Sequence, residues 1–160
     1  MLVLKNKIIT YLCSIKKTIM NIPVGNSKED FIQRKYIISQ VFRQWTDNNP
    51  DKKAFNPSLN GDITIRFLSI TETMRHAAKN YKSTLAILHL DTILRTATII
   101  GKPKPPKKGV ANQKPFKYLL ETRCLLPDVG EVKMMVGVKR SGEMVQYCIP
   151  AMDKKKKSTG

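Results

Sequence analysis

Residues 69–97 read SITETMRHAAKNYKSTLAILHLDTILRTA, and the fold turns on how this stretch is divided. The spacing of apolar residues predicts two helices in tandem, with a break near Tyr81 to Ser83. Ser69 is placed to cap the first and Glu72, three residues on, to reach back, which together make a capping box. At about 100° per residue, Ile70, Met74, Ala77, Ala78 and Tyr81 fall on one stripe that must be buried. Glu72, Arg75, His76 and Lys79 fall on the opposite side. In the second helix, from Ser83 or Thr84 onward, Ala86, Ile87, Leu90, Ile93, Leu94 and Ala97 share a face, and Asp91 and Arg95 form an i, i+4 pair on the other. Such a helix is suited to covering a sheet.

Downstream, everything reads as strand. Residues 98–100 are a short β-prone piece, residues 116–125 (FKYLLETRCL) alternate, and residues 131–139 alternate most clearly. There Val132, Met134, Val136 and Val138 point one way, and Lys133, Met135, Gly137 and Lys139 the other. Arg140, Ser141 and Gly142 make a tight connection to a last strand, residues 144–149, which Pro150 stops. Between the first two pieces lies GKPKPPKKGVANQKP, residues 101–115, whose five lysines and absent acids suit a solvated connection, either a binding element or disordered. Upstream, Phe31, Ile38, Val41, Phe42 and Trp45 recur at helical spacing within residues 27–45, behind Glu29 and Asp30 in the first turn. The run TDNNPDKKAFNPSLNGD is too rich in turn formers for long regular structure, and residues 62–67 (DITIRF) read as a short strand.

The expected fold is therefore α+β: two helices packed on one face of a four-stranded antiparallel meander sheet, with an additional N-terminal helix. Residues 1–19 are expected to be a flexible basic extension preceding a natural start at Met20. Residues 20–60 form the N-terminal helix and loop, 61–150 the α+β domain, and 151–160 a disordered lysine-rich tail. An antiparallel sheet can leave its second face wet, and chemistry is expected there or where a helix edge meets it.

Composition narrows the function classes. The 160 residues carry a net charge of +17, most of it in residues 1–60, the lysine-rich connection and the tail, which favours an anionic partner. Cys13, Cys124 and Cys148 lack paired spacing, so neither a zinc site nor a disulfide framework is indicated and a cytoplasmic setting fits. No run approaches the roughly 18 apolar residues of a membrane span. IITYLCSI is short for a signal peptide and no cleavage site follows it. GxxxxGK, HExxH and GxSxG are absent, so no cofactor and no metal is expected.

ETMRHAAKNY, STLAILHLDTILRTATII, the lysine- and proline-rich connector, FKYLLETRCLL, EVKMMVGVKRSG and MVQYCI follow one another in an order that resembles a known family. It is that of the phage and mobile-element polyvalent-protein-associated domains related to the barnase, EndoU, colicin and RelE nuclease fold. The resemblance covers about half the chain. It implies RNA as partner, a toxin-like protein of mobile-element origin with an antitoxin or immunity-type protein as inhibitor, and, at its sharpest, metal-independent RNA cleavage. Such chemistry needs an acid or base and positive donors for the phosphorane. The resemblance points to His76 in the first role, with Glu72 orienting it and Lys139 beside the phosphate. Arg75, Lys79, Arg123, Lys133 and Arg140 are the remaining nucleic-acid contacts, and Tyr147 stacks a base or offers a hydroxyl. Each has a plainer reading: a solvated His76, a capping Glu72, a core Tyr147, and exposed basic residues at strand ends. A non-catalytic module binding nucleic acid or protein on the same fold is the alternative.

Overall fold

Ser27 and Asp30 start the longest helix among the described residues by exchanging hydrogen bonds: the Asp30 amide donates to the Ser27 hydroxyl at 3.0 Å and the Ser27 amide to the Asp30 carboxylate at 3.3 Å. The structure is a computed structural model that describes residues 21–152. Helix α1 (Lys28–Asn48) leads into a hairpin of β1 (Lys53–Asn56) and β2 (Gly61–Thr64). Three helices follow, α2 (Phe67–Ala77), α3 (Tyr81–Ile87) and α4 (Leu90–Thr96), then β3 (Thr98–Ile99), β4 (Phe116–Leu126), β5 (Gly130–Lys139) and β6 (Met144–Cys148).

The expected four-stranded antiparallel meander with two covering helices is overturned. Among the described residues there are four α-helices and one six-stranded mixed sheet, ordered β1-β2-β6-β5-β4-β3, with β2 and β6 parallel. Strand β1, KAFN, is only four residues long and sits in a run of turn formers, so no alternation betrays it. It forms by pairing with β2, from Lys53 opposite Thr64 to Asn56 opposite Gly61. Strand β2 stops at Thr64, short of the predicted residue 67. The helices and three strands that follow form the long crossover that parallel pairing with β6 requires.

The helical stretch also divides differently. Ser69 is not a cap. Helix α2 begins two residues earlier, and the Ser69 hydroxyl accepts from the Arg66 amide at 2.9 Å. Glu72 is thereby released from capping. The first break falls at residues 78–80, where the Asn80 side chain accepts from the Ser83 amide at 2.8 Å. A second break at Leu88–His89 splits the predicted covering helix, leaving His89 exposed at the start of α4. The predicted apolar face survives both breaks, since Ala86, Ile87, Leu90, Ile93, Leu94 and Ala97 are all fully buried.

One core joins these elements. Ile38, Phe42 and Trp45 of α1 and Ala54 of β1 pack with α3, α4 and the alternating Val132, Met134, Val136 and Val138 of β5. Residues before 61 thus feed the same core as those after it. The Trp45 indole donates to Asp91 at 2.9 Å, and the same carboxylate oxygen receives Arg95 at 2.9 Å, so the predicted i, i+4 pair also ties α4 to α1.

The second face of the sheet is only partly wet. Phe116, Leu119, Val145, Tyr147 and Cys148 form a smaller cluster there with Leu68 of α2 and Met135. Where β6 runs past the end of β2, α2 takes the missing neighbour's place. The Thr73 hydroxyl accepts from the Ile149 amide at 3.2 Å and the Gln146 side chain at 3.1 Å. The lysine-rich connection has defined structure. Lys104 pairs with Leu119 of β4, and residues Ala111–Gln113 form a turn of 3-10 helix. The expectations for residues 1–19 and for the lysines of the tail lie outside the described residues. Among the described residues no helix is long and apolar enough to cross a membrane.

Candidate nucleic-acid interface

The connection from Gly101 to Pro115 is held over the edge of α2 by two amide side chains. Asn112 donates to one Glu72 carboxylate oxygen at 2.6 Å, while Arg75 binds the other at 3.2 Å. Gln113 accepts from the Lys107 amide at 2.7 Å and lies 3.5 Å from the Tyr147 hydroxyl. With Glu72 itself only 4% exposed, the carboxylate is a fixed post to which both the loop and Arg75 are tied. Of the six lysines in residues 102–117, only Lys104 is ion-paired among the described residues, with Glu121 at 3.0 Å. Lys102, Lys107, Lys108, Lys114 and Lys117 are exposed.

Four of the residues predicted from the sequence meet here. Glu72, Arg75 and His76 are in contact: the His76 Nε2 lies 3.5 Å from Glu72 and 3.4 Å from Arg75. Lys79, one turn on, is close enough to act on the imidazole. Burial, then the charges of Arg75 and Lys79, hold the His76 pKa below its ordinary 6.5, against the opposing pull of Glu72. The shift favours the neutral ring at pH 7, and its tautomer sets whether Nε2 accepts from Arg75 or donates to Glu72.

This shift has a consequence for stability. The unfolded chain takes up a proton near pH 6.5 that the folded domain resists, so stability is complete above that value and declines as pH falls toward the folded-state pKa. Urea midpoints measured from about pH 8 to about pH 5.5 are expected to fall in the acid half of that range, and His76→Gln should flatten the decline. Glu121 and Glu143, held low by hydrogen bonds from Lys104 and Arg66 respectively, add a separate loss only below their ordinary 4.5.

Tyr147 lies beneath this group, buried and edge-on to Phe116 at 5.9 Å and 85°. It is core, as its plainer reading has it, and offers no face to a base. Burial raises its pKa and, more strongly, that of Cys148, which reaches about 12, so neither supplies an anion at neutral pH.

The strand-borne cations lie elsewhere. Arg123 and Lys133 stand opposite each other on β4 and β5, each facing a carboxylate: Glu131 at 3.9 Å and Glu121 at 3.5 Å. Lys139 is six residues further along β5, about 20 Å away, paired with Glu143 at 3.2 Å, which also holds Arg66 at 2.6 Å. Arg140 is exposed in the turn beyond. The charges acting on His76 are those of Glu72, Arg75 and Lys79, and none of these strand cations is among them.

Asn112 and Gln113 are the site residues that sequence reasoning passed over. Their signal is faint: two adjacent amide side chains amid lysines and prolines, where a solvated loop needs none.

The residues that build this interface, from α2 through the lysine-rich loop to Tyr147, fall within one family match. No curated protein and no solved structure matches the chain. The match agrees with the polyvalent-protein-associated part of the resemblance read from the sequence and does not extend to its nuclease part. Residues 33–147 match the family model described as large polyvalent protein-associated domain 3, and the chain belongs to that family, a polyvalent-protein-associated domain of mobile-element type.

Proposed function

We propose that this domain binds RNA through the lysine-rich loop and the adjoining edge of α2. One observation carries the reading: a segment with six lysines and no acid is pinned by Asn112 and Gln113 beside Arg75 and Lys79, instead of hanging free. Fixing the charges in advance lowers the ordering cost of meeting a phosphate chain, and the cations left unpaired are those able to displace counterions from it. Arg123 and Lys133 on the sheet each already face a carboxylate and contribute less. A fluorescein-labelled RNA oligonucleotide titrated at several salt concentrations tests this. The logarithm of affinity is expected to fall steeply and linearly with the logarithm of salt. Absence of binding at low salt would dismiss the reading.

Cleavage is the second reading, and one observation favours it. His76 is neutral, partly exposed and 3.4 Å from a guanidinium, a base beside a cation suited to a phosphorane. Purified protein incubated with total RNA without added metal is then expected to produce new ends, and His76→Ala to abolish them. Intact RNA throughout would leave the domain a binding module.

A further inference from the structure

We infer that Phe67 is a base-stacking platform and that the RNA taken by this domain is single-stranded, an inference that rests on the RNA-binding reading and sharpens it. Phe67 is 81% exposed, the most exposed large apolar residue among those described. Its mount is rigid. On one side the Arg66 amide is capped by Ser69 and the Arg66 guanidinium is held by Glu143; on the other, Leu68 packs into the cluster with Phe116 and Tyr147. The ring is thus left outside by a backbone that is fixed at both neighbours.

Its surroundings suit a phosphate chain. Phe67, Thr71, Arg75 and Lys79 succeed one another at steps of four along α2 and its C-terminal end, a single ridge, and Phe67, Arg75 and Lys79 are all exposed. Two turns, about 12 Å, separate the phenyl ring from Arg75 and the docked loop. At the other end, Lys139 joins Arg66 on the Glu143 carboxylate, so two cations share one anion, and Arg140 adds a third. Phe55, also exposed, differs in this respect: its cross-strand partner is Asp62, an acid that would repel phosphate. A duplex keeps its base faces stacked inside, whereas an unpaired strand presents them to an aromatic ring while its phosphates follow the cations.

The test compares a labelled 12-nucleotide single-stranded RNA with the same sequence as a blunt duplex, by fluorescence anisotropy at low salt. Wild-type protein is expected to prefer the single strand about tenfold or more, and Phe67→Ala to weaken it by roughly five- to a hundredfold with little change for the duplex. Phe67→Trp should retain affinity and change its emission on binding, and Phe67→Leu should behave like the alanine variant. Equal affinity for both RNAs, an equal loss on both in Phe67→Ala, or full affinity in Phe67→Leu would overturn the inference while leaving RNA binding in place. Failure to bind either RNA would remove both.

Discussion

Arg34→Ala is expected to cost about 3–5 kcal/mol of folding stability, a large share of what a domain of this size possesses. The guanidinium is buried, 1% exposed, and donates to three backbone carbonyls: Ala78 at 2.7 Å, Pro23 at 2.9 Å and Gly25 at 2.7 Å. Ala78 ends α2, so the charge also sits against the negative end of that helix. Truncation leaves all three acceptors without their donor and frees the helix end that carries Arg75 and His76. Urea unfolding checks the magnitude. Arg34→Lys should recover only part, because a single ammonium cannot reproduce the fork, and Arg34→Met should resemble alanine. An alanine variant within about 1 kcal/mol of wild type would show that the three carbonyls find water instead.

Replacing Lys107, Lys108, Lys114 and Lys117 together with Gln is expected to weaken RNA binding by a hundredfold or more at about 0.1 M salt. For a single strand each phosphate contact contributes about 0.7 to the salt slope, so losing four should flatten it by about 3. The fold should not suffer, since all four side chains are exposed and the loop's anchors, Asn112 and Gln113, remain. Arg123→Gln with Lys133→Gln is the contrasting pair. Arg123 faces Glu131 and Lys133 shares Glu121 with Lys104, so their charges are partly answered, and affinity should change by less than about threefold. Equal losses from both sets would place the interface on the sheet.

Long periodic segments were legible in the sequence because burial imposes their period. Helix α1, the face running from Ala86 to Ala97 and the alternation of β5 all follow from residue spacing. What escaped was short or depended on distant partners. Strand β1 exists only because β2 pairs with it, and the parallel contact between β2 and β6 joins residues some eighty positions apart. Ser69 and Glu72 fit a capping box by spacing, yet the box loses to a helix that starts at Phe67, and Glu72 goes instead to Asn112. The candidate site was half legible for the same reason. Glu72, Arg75, His76 and Lys79 share a helix face that spacing reveals, whereas the loop that completes it is docked by two amides forty residues away.

Amide hydrogen exchange with and without a saturating single-stranded RNA oligonucleotide tests the interface most directly. Slowed exchange concentrated in residues 102–117 and 67–79 is the predicted result. Protection confined to β4 and β5 around Arg123 and Lys133, or to the outer face of α1, would contradict it.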